Sequence, residues 1–403
     1  MNPSEARASD PRATNGAAAV TRQLIAFTLA SFLGFLAVGV PLAALAVFVH
    51  DSLGFNPFIV GLVIGAQSLA TLLTRKYAGR RCDTGSAKRA TLHGLGCAAG
   101  AGALYLAADL AAARPGLGLS LLFAGRLVLG LAESLFITAL SAWSITRVGA
   151  QNAGRAMAWS GISMYGALAV GAPVGLAVLH AGGFAAVAAC AIAAPLLSML
   201  LIAGWEDALP AGARATLSFR SVLRSIWAPG LAMALASSGV GTISAFLALR
   251  YQMPGWEGAG FALTGFGAAY IVMRLLFAGL PDRYGGGRIG AASLLVEAIG
   301  LTVIWGATSP PMALAGAVLT GAGYSLVFPS MGIEAMKRVP GENRGLVLSA
   351  FLACFDLGLA LAGPGAGVVA RGFGIPAAFV AAALAALVGL VLVAAGVRGR
   401  DAR

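Results

Sequence analysis

The sequence predicts an all-α membrane protein with 12 transmembrane helices in two six-helix, pseudo-symmetric halves. Three observations predict it. First, 59% of the 403 residues are hydrophobic, only 10% are charged, and the mean hydropathy is +0.87. A soluble domain carries about 25% charged residues, so this chain cannot clothe itself in charge and its outside must be lipid. Second, about twelve apolar stretches occur, each near the roughly 20 residues that carry a helix across the hydrocarbon. Third, RVGAQNAGRAMA at 147–158 aligns with RVPGENRGLVLS at 338–349, an offset of 338 − 147 = 191. The same offset lays Pro173 on Pro364 and Gly130 on Gly321.

In chain order, residues 1–20 are rich in Ser, Asn and Ala and are expected to be disordered. Span 1, near 23–49, is too long for a signal-peptide core and has no clear cleavage site, so it is expected to be retained. Spans 2–6 follow near 56–75, 91–111, 117–145, 155–179 and 182–204, completing an N-terminal bundle over 21–204. The polar stretch WEDALPAGARATLSFRSVLRSI, 205–226, interrupts the series and is expected to be a cytoplasmic linker. Spans 7–12 lie near 227–250, 258–280, 288–307, 311–336, 345–370 and 375–397, forming a C-terminal bundle over 227–397 before a tail at 398–403. Strands are disfavoured, because the segments are too long and lack alternation. The 56 glycines suit helices that approach closely in a bilayer.

The net charge of +12 does not point to nucleic acid, because the basic residues sit between apolar segments. With the N-terminus inside, about 22 of the 27 basic residues fall in cytoplasmic segments, which predicts cytoplasmic N- and C-termini. Four scattered cysteines without a CxxC and three unclustered histidines predict neither a metal site nor a cofactor. No nucleophile–base pair appears at useful spacing, so an enzyme is not expected. No G-x-x-x-x-G-K-[ST] is present, which argues against an ATPase.

A second repeat sits earlier in each half. Arg75-x-x-x-Gly79-x-x-x-Asp83 matches Arg274-x-x-x-Ala278-x-x-x-Asp282, and spacings of four place each set on one helix face. These residues carry a family resemblance over essentially the whole chain. Gly79, Asp83, Lys88 and Arg89, and again Asp282, Arg283 and Gly285, resemble the loop motif of the major facilitator superfamily, with Ser86 and Ala87 replacing its usual glycine and arginine. Arg126 with Gly130 resembles that superfamily's span 4 motif. Gly171-Ala-Pro173-Val-Gly175 resembles its span 5 motif associated with antiporters, and Gly363-Pro364-Gly365 repeats it in span 11. GVPLAALAVFVHD, SLATLLTRKYAGR, MYGALAVGAPVG and AGYSLVFPSMG are similar to the YhhS/YfcJ group of bacterial inner-membrane members. The resemblance implies a multi-pass transporter of the bacterial inner membrane and leaves the solute open.

Ionisable residues at membrane depth face a bundle interior or a wet cavity and mark function by default. Arg126 and Glu133 are seven apart, so they share one helix face about 10 Å apart along the axis. Glu133 is the candidate to load and release a proton, and Arg126 to hold solute or the carboxylate; the alternative is a static polar strut. Asp356 in span 11 is a second proton or cation site candidate. Its repeat partner is Tyr165, expected to face it across the cavity. Glu297 in span 9 is a further proton-coupling candidate, with an interhelix hydrogen bond favoured. Arg75, Asp83, Arg274 and Asp282, with Gly79 and Arg283, are expected gate residues whose contacts form when the inside is closed; for Lys88 and Arg89 simple snorkelling is favoured. Gly171, Pro173, Gly175, Gly363 and Pro364 are expected to bend spans 5 and 11 at matched places, unless they merely pack. His50 and Asp51, at the outer end of span 1, are weaker candidates for an outer cap or gate.

The leading expectation is alternating-access transport of a small organic solute, coupled to protons and directed outward. Proton-linked uptake and a non-transporting sensor on the same fold are the alternatives. The expected partners are the solute, protons and membrane lipid, with the chain acting as a monomer.

Overall fold

The computed structural model describes residues 11–149, 152–207, 217–339 and 344–401. The described residues are helical almost throughout. The helices are α1 (Pro11–Val47), α2 (Pro57–Thr84), α3 (Ala87–Leu110), α4 (Pro115–Val148) and α5 (Ala153–Ala203). After them come α6 (Phe219–Ser225), α7 (Trp227–Gln252), α8 (Ala259–Phe277), α9 (Leu280–Tyr284), α10 (Gly286–Trp305), α11 (Pro310–Met336), α12 (Arg344–Phe373) and α13 (Ile375–Asp401). A π-helical turn, Phe48–Ser52, continues α1. α1 is already helical at Pro11, inside the segment expected to be disordered, and α13 runs past the expected end of its span at 397.

Among the described residues, eleven helices are long and apolar enough to cross a membrane. One is double. α5 breaks at Gly183, whose φ of 70° only glycine adopts readily. Ser163 on its first leg bonds Ser31 of α1, while Ser198 on its second leg bonds the Ala30 carbonyl, so the second leg returns beside the first. Eleven helices with one doubled make twelve crossings. Large apolar side chains such as Leu73, Leu110, Phe261 and Phe373 point outward, as a lipid-facing surface requires.

Two ends of the bundle are distinguished below. The basic end carries the α2–α3 and α4–α5 turns with Arg80, Arg81, Arg89 and Arg155; the far end carries the π turn and the loops around Arg114 and Gly374. Glycines set the helix spacing. A Cβ at Gly175 or Gly171 of α5 would strike the backbone of α1 at Val40 or Gly39, and one at Gly358 of α12 would strike α7 at Ala234. Across the halves, Pro173 of α5 packs on Gly260 of α8, and Pro364 of α12 packs on Gly65 of α2. The two repeat prolines thus occupy equivalent places: each helix leans on the first helix of its own half and on the second helix of the other half. The offset of 191 has its structural meaning here.

Because Gly175 meets α1 within one half, Gly175→Val is expected to destabilise that half, by about 1–3 kcal/mol as an overpacked position. A lowered thermal midpoint of the purified protein in detergent checks this; an unchanged midpoint contradicts it.

The expected linker contains α6, which packs on α12, while 208–216 lie outside the described residues. Its first residues are anchored to the N-terminal half. Trp205 packs edge-on against Phe27 and Trp143, and Arg147 pairs with Glu206 at 3.1 Å. Lys88 does more than snorkel. Its ammonium donates to the carbonyls of Ala203 and Trp205 at 2.6 and 2.7 Å, closing the C-terminus of α5, where a cation is favoured.

Candidate functional site

The site grows from one stripe of α2. Gln67, Thr71 and Arg75 are spaced by four and project from a single face. Gln67 Nε2 donates to Glu133 Oε2 of α4 at 2.7 Å, and the Thr71 hydroxyl lies 3.2 Å from the same oxygen. One turn on, Arg75 Nε donates to Asp356 Oδ2 of α12 at 2.7 Å, and its Nη2 reaches the same oxygen. This ion pair joins the two halves. Glu133 is half-buried and within electrostatic reach of Asp356, so one guanidinium serves a region holding two carboxylates.

Helix geometry explains the pair. α2 and α12 touch closely near the far end, where a Cβ at Gly61 would overlap the Gly363 carbonyl and one at Gly367 would press on Phe58. Beyond Gly65 the correspondence slips. Arg75 is ten residues further along α2, about 15 Å, whereas Asp356 is only four residues, about 6 Å, from Ala360. Side chains tilt toward their own helix N-terminus. Since α2 starts at the far end and α12 at the basic end, Arg75 and Asp356 lean toward each other across the widening gap.

Arg126 does not hold the Glu133 carboxylate. It is 2% exposed and donates from Nε to the Val63 carbonyl at 3.3 Å and from Nη2 to the Ile64 carbonyl at 3.1 Å, leaving Nη1 unpartnered. The seven-residue spacing did place both side chains on the face of α4 that meets α2. Gly130 between them lets the helices close: a Cβ there would meet the Gln67 carbonyl and, at 2.9 Å, the Thr71 nitrogen. Its repeat partner Gly321 does the same for α11 against Phe266 of α8.

Tyr165 is drawn into an aromatic cluster rather than opposite Asp356. Its ring stacks on Tyr270 of α8 at 3.8 Å, and its hydroxyl lies 3.3 Å from that of Tyr324 of α11. Arg274, an expected gate residue, donates to the Tyr270 hydroxyl and sits 5.2 Å over its ring. Among the described residues this cluster is a second polar contact between the halves. At the far end a third exists: Gln252 donates to Asp51 at 3.2 Å, while His50 Nδ1 lies 3.0 Å from the Phe55 carbonyl. The contacts named between the halves all lie at or beyond the level of Arg75–Asp356, toward the far end.

Among the described residues, the expected gate residues Gly79, Asp282 and Arg283 do not join a contact between halves in this conformation. Asp282 and Arg283 are exposed on α9, with Arg283 over the Tyr284 ring, and Gly79 borders open space. The Asp83 side chain lies outside the described residues. Glu297 is fully buried in α10, and neither of its carboxyl oxygens has a hydrogen-bond partner, so the favoured interhelix bond is not made. Gly171, Pro173, Gly175, Gly363 and Pro364 all stand at points where two helices come close.

Sequence reasoning missed Gln67, Thr71, Tyr270 and Tyr324. A signal for the first two was available, since Gln67-x-x-x-Thr71-x-x-x-Arg75 is a polar stripe along an apolar span. The tyrosines carried none, because a buried aromatic ring is ordinary in any core. A recess at the basic end lies between α1, α4 and α5, lined by hydroxyls of Thr28, Ser141 and Ser160 and by Trp159.

Comparison with known proteins places this geometry. A family model described as Major Facilitator Superfamily matches residues 27–258 and 257–402. An uncharacterized MFS-type transporter of Burkholderia pseudomallei (strain K96243) is 43% identical over 374 residues, covering 93% of this chain and 92% of that protein. The uncharacterized MFS-type transporter YhhS of Escherichia coli (strain K12) is 41% identical over 371 residues, covering 92% and 91%. Among solved structures, the nucleoside transporter NupG matches with a TM-score of 0.72 at 17% identity, covering 93% of this chain and 98% of that one. The human organic anion transporter MFSD10 matches with a TM-score of 0.67 at 15% identity, covering 93% and 99%. At those identities the two structures speak to the fold alone.

Proposed function

The chain belongs to the major facilitator superfamily of membrane transporters, and on that premise we propose that it exports a small organic solute across the bacterial inner membrane in exchange for protons. One observation carries the reading: the Arg75–Asp356 ion pair ties the two halves together, with a second carboxylate, Glu133, held beside it. Buried ionisable groups with a cross-half partner are what an alternating mechanism needs, because a proton can change how strongly the halves hold.

In the proposed cycle, ionised Asp356 holds Arg75 and stabilises the conformation closed at the far end. Solute bound from the basic end breaks the pair, and the halves rock to release it at the far end. A proton from that side then neutralises Asp356, leaving Glu133 as the anionic neighbour of Arg75; the halves rock back, and the proton leaves at the basic end as the pair re-forms, so solute and proton move in opposite directions. Gln67 and Thr71 position Glu133, and Arg126 clamps α4 to α2 so that the stripe moves as a unit. Asp282 and Arg283 at the basic end, with Asp83, would meet partners across the halves only when that end closes, while Arg274 already holds Tyr270 in this conformation. The basic end is the cytoplasmic one in this reading, with both termini and the 205–226 connection there, and the monomer suffices for transport.

Purified protein in sealed liposomes with an imposed pH gradient tests this. Export coupled to protons gives counterflow of a solute and protons; co-movement would indicate uptake, and no flux across a broad panel of metabolites and toxic compounds would remove the transport reading. Glu133→Gln is expected to leave assembly near normal and to lower gradient-driven flux by about tenfold or more, as loss of an acid–base group does. Unchanged pH-dependent flux in that variant would take Glu133 out of the mechanism.

A further inference from the structure

Glu297 sits in mid-span of α10, wholly buried, with both carboxyl oxygens unpartnered. An ionised carboxylate without donors is strongly disfavoured in such a place, whereas a neutral acid is tolerated. Its surroundings were shaped to admit it. A Cβ at Gly239 of α7 would stand 2.5 Å from its Oε1, and one at Gly323 of α11 would collide with the Glu297 backbone. Packing this close favours a proton over a metal ion, which requires a shell of several oxygen ligands.

The neighbourhood also adjoins the contact between the halves. Tyr324 follows Gly323 and lies within electrostatic reach of Glu297 and hydrogen-bonding reach of Ser237. Its hydroxyl is the one that meets Tyr165 across the halves, and Tyr165 stacks on Tyr270, which Arg274 holds. We propose that Glu297 is a proton-binding site inside the C-terminal half, occluded in this conformation and opened when the Tyr165–Tyr324 contact parts. This goes beyond the Arg75–Asp356 reading and does not depend on it.

Few other charges face this site. α11 presents Tyr324, and its Glu334 is ten residues away beside Lys337. α7 presents the Ser237 hydroxyl, and its Arg250 is thirteen residues off, bonded to the Ala307 carbonyl. α13 has no ionisable residue over 375–395, and Asp282 and Arg283 of α9, like Arg288 of α10 itself, are exposed at the basic end. Protonation of Glu297 therefore answers chiefly to burial and to water admitted past Tyr324.

Infrared spectroscopy of the full-length protein in lipid tests this without knowledge of the solute. The wild type should show a protonated-carboxyl stretching band at neutral pH that carbon-13 labelling of glutamate shifts. Glu297→Gln should remove that band, while Glu133→Gln and Asp356→Asn should keep it. If Glu297→Gln does not assemble, Glu297→Asp should move the band instead. Hydrogen–deuterium exchange of the band should quicken about tenfold in Tyr165→Ala, the factor expected from losing one buried aromatic contact. Absence of a glutamate-derived band in the wild type, its persistence in Glu297→Gln, or unchanged exchange in Tyr165→Ala would each overturn the proposal. Transport assays on Asp356→Asn report separately on the ion-pair mechanism.

Discussion

Asp356→Asn is expected to abolish solute flux driven by a pH gradient while leaving solute exchange at equal pH measurable. The substitution keeps the shape of the side chain but removes the charge that Arg75 meets from the other half. A hydrogen bond to a charged group contributes about 1.5–3 kcal/mol, so its loss shifts the balance of conformations by roughly 10- to 150-fold. The shift should run away from the far-end-closed conformation in which the pair is made. Labelling of single cysteines placed at the far end should rise accordingly. Arg75→Gln combined with Asp356→Asn should restore much of the conformational balance, because no buried charge is left unpaired, yet should not restore proton coupling. A double variant as coupled as the wild type, or a single variant with undiminished gradient-driven flux, would show that this pair is a passive strut.

Gly61→Val is expected to block closure of the far end. A Cβ at Gly61 would overlap the Gly363 carbonyl oxygen, which is backbone and cannot rotate aside. α2 and α12 would have to separate where they now touch most closely. Overpacking of this kind costs about 1–3 kcal/mol, which translates into a roughly 5- to 150-fold bias toward conformations parted at that end. Far-end cysteine labelling should increase and transport should fall, since one limb of the cycle is hindered. Gly365→Val is the control: its Cβ would meet nothing within 4 Å, although it lies two residues from Gly363 on the same helix. Equal effects in the two variants, or normal transport in Gly61→Val, would contradict the glycine contact as the hinge-side seal. Gly175→Val should differ again. It should lower stability without biasing accessibility, because its contact lies inside one half.

The membrane-spanning helical architecture was legible in the sequence because lipid is a simple solvent. A span must be long, apolar and hydrogen-bonded within itself, and those demands are written residue by residue along the chain. The constant offset of 191 was legible for the same reason: two halves under the same demands retain the same landmarks, here Pro173 and Pro364, and Gly130 and Gly321. The intramembrane ionisable residues were legible as anomalies, and Arg126, Glu297 and Asp356 are all buried within the protein rather than turned to lipid.

Their partners were not legible. Glu133 is held by Gln67, 66 residues away, and Asp356 by Arg75, 281 residues away. Arg75 was expected at a gate and Asp356 in a cavity, yet one ion pair unites them. Periodicity tells which face of a helix a residue occupies, and it did put Arg126 and Glu133 on the same face. It does not tell which neighbour that face meets or how two helices slide past each other. The sequence by itself determined the solvent, the twelve crossings, the twofold order of the halves and the short roster of residues too polar to be idle. Only the tertiary structure decided the pairings, because these depend on where glycines let backbones touch and on how far helices diverge beyond that point. A displacement of a few ångströms along α2 would have given Asp356 a different partner.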